Sequence, residues 1–404
     1  MSPVRRSRII PAGARVTLQG LVAVVALAGC TLGASGMAGT PVPAHPAPLT
    51  PAPTTSPARS TANSAVPSSA ARMFAYYYLW WDPAHWRARL GSSYPFSRVP
   101  SPLPAKLGAD GCNPVSLYRG NQLTDVTSPL YDQSDPAQMA SDVREAASAG
   151  LAGFAVGWAG TGAPGQSAAS STFNTRLASL VSVVQAYDAA GGHFKLWVSY
   201  MSSSRIRTLQ AIDNDFDYLW AAYGASPVFD RSNGGRVTLI LMGSRKYSLS
   251  LLEQVSSTWR SHFYLVGDEN WRTWNASRAA VFDADQYYWS SEPPSAASYA
   301  RIASLAAMVR SERNPDGSAK QFFSPLAPGY DKQLAGGRDC VPRAGGQTMR
   351  DLFAGNSVAR PDAWLVISWN EITEGTYIMP LERYGTQSLA TLSSIIAGAA
   401  RGEG

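Results

Sequence analysis

The chain has 404 residues, a formal charge of +6 and only 15% charged residues, against a usual share of about 25%. Every Trp, Tyr, Phe, Asp and Glu lies after Met73, so residues 1–72 cannot build a core of their own. No Lys/Arg cluster follows the N-terminus, which excludes a nucleic-acid footprint, and the aromatic-rich remainder excludes a wholly disordered chain.

Residues 1–29 read as a lipoprotein signal peptide. Arg5, Arg6, Arg8 and Arg15 precede the apolar run Leu21–Leu27, which is too short to span a bilayer. Leu27-Ala28-Gly29-Cys30 resembles a bacterial lipobox. That resemblance implies lipidation of Cys30 and a protein exported and anchored to the outer face of the bacterial cytoplasmic membrane. A plain secretory signal with an incidental Cys is the alternative. Loss of the four signal arginines takes the formal charge from +6 to +2. Residues 30–72 are rich in Pro, Ala, Ser and Thr and read as a disordered tether. Cys112 and Cys340 are left as an even pair in an exported protein. A disulfide is the natural reading, with two buried free thiols as the alternative.

Residues 73–404 are the folded domain. Eight apolar runs predict strands: Phe74–Trp81, Gly153–Trp158, Phe194–Tyr200, Val237–Met242, Phe263–Gly267, Phe282–Trp289, Gln321–Pro325 and Trp364–Trp369. Their near-continuous hydrophobicity suits parallel strands covered by helices. Helical periodicity falls between them, over Asp135–Ala149, Thr172–Ala190, Ile206–Tyr223, Leu251–His262, Ser295–Arg313, Met349–Ala354 and Ser388–Ala400. Asp135-Pro136 supplies an N-cap and a first-turn proline. This α/β alternation predicts a single (β/α)8 TIM barrel. A doubly wound sheet is the rival, but no glycine-rich phosphate turn accompanies it. Residues 82–134 would form a long loop on the active face.

In such a barrel, function sits at the carboxyl ends of the strands. Those ends carry Trp80, Trp81, Asp82, His85 and Trp86, then Trp158, Tyr200, Tyr287, Trp289, Tyr330 and Asp331. Flat rings cover the C–H faces of sugars, and carboxylates accept hydroxyl hydrogen bonds and transfer protons. Any one of these rings could instead fill the core. The sharpest segment is Trp369-Asn370-Glu371-Ile372-Thr373-Glu374-Gly375-Thr376-Tyr377. Two carboxyl groups confined at one site push their pKa values apart, as an acid–base pair requires. A solvated surface pair is the alternative, and the apolar run before it argues against that.

This segment, continued to Pro380, resembles the last-strand motif of glycoside hydrolase family 99 and of the related WbsX-type domains. Phe74–Trp81 with His85-Trp86 is similar to the family's opening strand. Tyr131-Asp132-Gln133-Ser134-Asp135-Pro136, followed by Ala149–Phe154 and Trp158, resembles a second block, and Pro328–Asp331 a third. The resemblance implies retaining cleavage of α-mannosidic bonds with no cofactor and no metal. Glu371 would take the proton from the sugar 2-hydroxyl, and Glu374 would protonate the leaving oxygen. Tyr131, Asp132, Trp369, Asn370 and Tyr377 join the candidate substrate contacts. Ile372, Thr373 and Met379 depart from the family pattern, and they put the substrate in question more than the reaction.

The expected partners are a polysaccharide or oligosaccharide and, through Cys30, a membrane; no nucleic acid is expected, and a monomer is. Two other readings stay open: a glycan-binding barrel that has lost catalysis, and a structural envelope lipoprotein.

Overall fold

The structure is a computed structural model that describes residues 72–90, 112, 130–161, 169–201, 207–331, 339–381 and 384–402. The expected signal peptide, Cys30 and all of the tether except Arg72 lie outside the described residues. Arg72 belongs to the first strand and pairs with Asp230 at 3.1 Å.

Eight parallel strands close into a barrel. They are β1 (Arg72–Tyr78), β2 (Gly153–Trp158), β3 (Lys195–Tyr200), β4 (Val237–Leu241), β5 (Phe263–Asp268), β6 (Ala284–Gln286), β7 (Gln321–Leu326) and β10 (Ala363–Val366). β1 closes the ring by pairing with both β2 and β10. A two-stranded antiparallel ribbon, β8 (Tyr330–Asp331) and β9 (Cys340–Val341), stands beyond β7. Cys340 in this ribbon is bonded to Cys112, with Cα atoms 5.6 Å apart. The ribbon is thereby stapled to the long segment after β1.

The helices are α1 (Pro83–Leu90), α2 (Pro136–Ser148), α3 (Ala169–Ala189), α4 (Leu209–Tyr223), α5 (Leu249–Trp259), α6 (Ala276–Val281), α7 (Ala296–Arg310), α8 (Gln347–Ser357) and α9 (Gln387–Ala400). Asp135 caps α2 as the sequence predicts, accepting from Ala137 N at 2.8 Å. Helices α1 and α6 were not predicted, being too short for a clear apolar period. None of the described helices is long and apolar enough to cross a membrane.

Alternation along β1 sorts its residues. Phe74 stacks on Trp197 of β3, 3.9 Å between centroids, and Trp197 meets Phe323 of β7 at 4.9 Å. Strands that are not neighbours touch only through the barrel interior, so these rings fill its lower layer. Tyr76 and Tyr78 rise above Phe74 on the same face. Tyr77 points outward, stacked on Phe154 at 4.5 Å. Burying rings of this size contributes about 1.5–3 kcal/mol each, before entropic costs.

Candidate active site

The predicted strands at both ends of the motif run longer than the observed ones. β10 stops at Val366, and β6 spans only Ala284–Gln286. The residues beyond have left the ladder to serve the rim. After β10 the backbone turns through a cis Ile367–Ser368 peptide. The Ser368 hydroxyl accepts from Glu371 N at 2.7 Å, and Ser368 N donates to Thr376 O at 2.8 Å. The segment thus closes on itself into a compact turn. Gly375 sits at φ +61°, and a Cβ there would lie 2.9 Å from Asp331 Cβ. That combination favours glycine. Asp331 N donates to Glu374 O at 2.7 Å, so the ribbon backs the turn.

Arg343 fixes the same turn from outside. It is buried, donates to Gly375 O and Tyr377 O at 2.9 and 2.8 Å, and lies over the Tyr377 and Tyr384 rings. Glu371 is 4% exposed and Glu374 is half-buried. Glu371 Oε1 accepts from both the backbone N and the hydroxyl of Thr373. Thr373, read from sequence only as a departure from a pattern, is therefore a support for the first glutamate.

Two tyrosines face this pair. Tyr78 donates to the Tyr288 hydroxyl at 3.0 Å. Burial pushes both phenols well above their usual range, and the charges of Glu371 and Glu374 add to the rise. Tyr330 is raised first by burial and next by Glu374. Both glutamates and three phenols thus share one electrostatic neighbourhood. Sequence reasoning named Tyr330 as a substrate contact and put Tyr288 at the end of the sixth strand without a role, but left out Tyr78. The available signal was inward alternation on β1 and position just past β6.

The other candidates divide. Trp80 stays half-buried, stacked between Tyr78 (4.3 Å) and His85 (5.9 Å). Tyr287 and Trp289 form a half-buried rim cluster with Trp271. Asp331 sits behind Gly375. Trp80, Tyr287 and Trp289 stand on the rim, whereas Asp331 is buried.

The remaining expectations need correction. Trp81, Trp86, Tyr131, Trp158, Tyr200, Trp369, Asn370 and Tyr377 are almost wholly buried. Polar atoms on most of them are used internally. Trp81 Nε1 donates to Asn370 O (2.6 Å), Trp86 Nε1 to Tyr131 O (2.8 Å) and Trp158 Nε1 to Asn174 Oδ1 (2.8 Å). The Tyr200 hydroxyl donates to Asp215 at 2.6 Å. Trp369 packs on Phe154 and Tyr377 under Arg343. Asp82 caps α1 and pairs with Arg176, and Asp132 closes a turn onto Ser134 N. These side chains hold the rim rather than line it, because folding has already taken the groups a sugar would need. Among the described residues, no group of three or more His, Cys, Asp and Glu gathers to hold a metal.

Comparison with solved structures gives this architecture a precedent. A GH99 endo-alpha-mannosidase from Bacteroides thetaiotaomicron superposes with a TM-score of 0.59 at 16% identity, covering 82% of this chain and 99% of that one. The same enzyme in complex with BIS-TRIS-propane gives 0.58 at 15% identity, over 83% and 100%. The fold is GH99-like. A glycoside hydrolase-like protein matches at 0.54 and 12% identity, over 68% of this chain and 89% of that one. No family model and no curated protein matches the chain. Within the GH99-like fold, the Glu371–Glu374 turn stands at the end of the last barrel strand, on the face where barrels of this class keep their chemistry.

Proposed function

We propose that the protein is a glycoside hydrolase that cleaves α-linked, mannose-containing polysaccharide with retention of configuration. The observation that carries this reading is the closed turn after β10. It presents two glutamates, one buried and one half-buried, beside the Tyr78–Tyr288 pair. A reaction at one bond needs one carboxyl that takes a proton and one that gives it.

In the first step Glu371 accepts the 2-hydroxyl proton. The 2-oxygen attacks the anomeric carbon, and the bond to the leaving sugar breaks as Glu374 protonates its oxygen. A 1,2-epoxide-like sugar results. In the second step Glu374 removes a proton from water, which attacks the anomeric carbon and breaks its bond to the 2-oxygen, and Glu371 returns its proton to that oxygen. Both glutamates end as they began. Trp80, His85, Tyr287 and Trp289 are the rim rings suited to the apolar faces of sugars. The same reading includes export, lipid attachment at Cys30 and action at the cell surface as a monomer.

The test uses Glu371→Gln and Glu374→Gln on a panel of α-mannans. Each variant is expected to keep its melting temperature and to lose roughly a thousandfold or more in turnover. Normal release of reducing ends by both variants would sink the assignment. Glycan binding without any cleavage by the unaltered protein would favour a non-catalytic binding barrel instead.

A further inference from the structure

Asn370 stands directly before Glu371 and is wholly buried. Its side chain grips the end of β1 in both directions. Oδ1 accepts from Tyr78 N at 2.8 Å, and Nδ2 donates to Tyr78 O at 2.9 Å. Its backbone carbonyl accepts from Trp81 Nε1 at 2.6 Å. Nδ2 also donates to the Tyr131 hydroxyl at 3.2 Å. The two ends of an amide are chemically different, so this pattern exists in only one of its two flips.

That flip is supported from outside the barrel. The Tyr131 hydroxyl donates to Asp142 Oδ2 at 2.7 Å, which leaves its lone pairs for Asn370. The Tyr77 hydroxyl donates to the same carboxyl oxygen at 2.8 Å. Asp142 lies on α2, is 2% exposed, and has no cation paired with it among the described residues. Besides these two phenols it accepts from Gln138 Nε2 of its own helix at 3.3 Å, and the Trp369 indole N–H also acts on it.

We propose that Asp142 and Tyr131 are remote positioning residues for Glu371, holding Asn370 in the one amide orientation that locks the end of β10 to the end of β1. Neither touches substrate. Their effect on turnover rests on the reading of Glu371 given above, because a reactive carboxylate displaced by about 1 Å loses roughly a hundredfold in rate.

The relay has a direction, and the charge on Asp142 sets it. An ionised carboxyl only accepts, so both phenols must point their hydrogens at it. A protonated carboxyl has a hydrogen of its own to donate, and Tyr131 is then free to turn away. Burial pushes the Asp142 pKa up to about 7, against the opposing hydrogen bonds from Tyr131, Tyr77, Trp369 and Gln138. Burial raises Tyr77 and Tyr131 well above their usual range, so both remain neutral donors.

The experiment uses the full chain with 15N-labelled asparagine, the Asn370 side-chain amide being assigned by its loss in Asn370→Ser. In the unaltered protein that resonance should move with a midpoint near pH 7. In Asp142→Asn and in Tyr131→Phe it should stay flat across the same range. On a cleavable mannan, both variants should lose about tenfold in kcat with KM changed less than about twofold. Titration of Asn370 that persists in Asp142→Asn, or no titration in the unaltered protein, would overturn the proposal. So would unaltered kcat in both variants of a protein whose Glu371→Gln form is dead. Should Asp142→Asn fail to fold, Tyr131→Phe, which keeps the ring, decides alone. Should no glycan be cleaved at all, the hydrolase reading fails while the resonance still tests the relay.

Discussion

Two buried aspartates sit at opposite levels of the barrel and are treated very differently. Asp283, just before β6 at the foot, receives Arg236 at 3.0 Å and Arg260 at 2.9 Å, and accepts from Leu265 N. Lys320 and Asn314 extend this network through Phe282 O and Arg260. Asp142, beside the rim, receives two phenols, one amide and the Trp369 indole N–H. Both are 1–2% exposed. A buried charge that is matched by cations locks a structure, whereas one held only by neutral donors stays near its titration point. The foot ties its aspartate to two guanidiniums, whereas the rim holds its aspartate with neutral donors.

The largest effect expected from this contrast is at the foot. Asp283→Ala leaves two guanidiniums facing an unfilled hole and should cost about 3–5 kcal/mol of stability. Turnover per folded molecule should not change, since nothing in that network reaches the rim. Equal loss of specific activity would erase the proposed division of labour.

Asp142 offers a comparable effect of different form. Its folded pKa is about 7, while an unfolded Asp titrates near 3.9. The folded state therefore binds the extra proton between those values. Stability from this group is complete below about pH 4 and is lost as pH rises through about 7, by on the order of 4 kcal/mol. Denaturant melts from about pH 4 to 8 should show a downward slope that disappears in Asp142→Asn. A slope that survives the substitution would place the proton elsewhere.

The smallest effect on stability is expected at Gly375→Ala. The added Cβ must tolerate φ +61° and 2.9 Å from Asp331, a strain of about 1–3 kcal/mol. Because Glu374 immediately precedes it, turnover should fall by more than stability does. A variant that melts lower but hydrolyses normally would show that the turn tolerates displacement.

Much of the fold was legible in the sequence because burial on both faces leaves continuous apolar runs. Seven of the eight strands lie close to where those runs predicted them. β6 is the exception. Phe282–Trp289 carries Asp283, Asp285 and Gln286 among its aromatics, and only its middle pairs, because Asp283 is drawn into the foot network and Tyr288 into contact with Tyr78. The Glu371–Glu374 motif and the Cys112–Cys340 pairing were also readable, the first from its place after a buried strand and the second from the even pair left once Cys30 is set aside.

What the sequence determined by itself is composition and order: an acid-free leader, then alternating strands and helices, with two glutamates after the last strand. Only the tertiary structure decided which aromatics hold the rim and which stand on it. Trp80 and Trp81 are neighbours of the same type, and one is half-buried in a stack with His85 while the other is sealed against Asn370. The physical reason is that a side chain's availability depends on whether its polar atoms find partners within the fold. Some of those partners, such as Tyr131 for Asn370, come from residues that only barrel closure brings together.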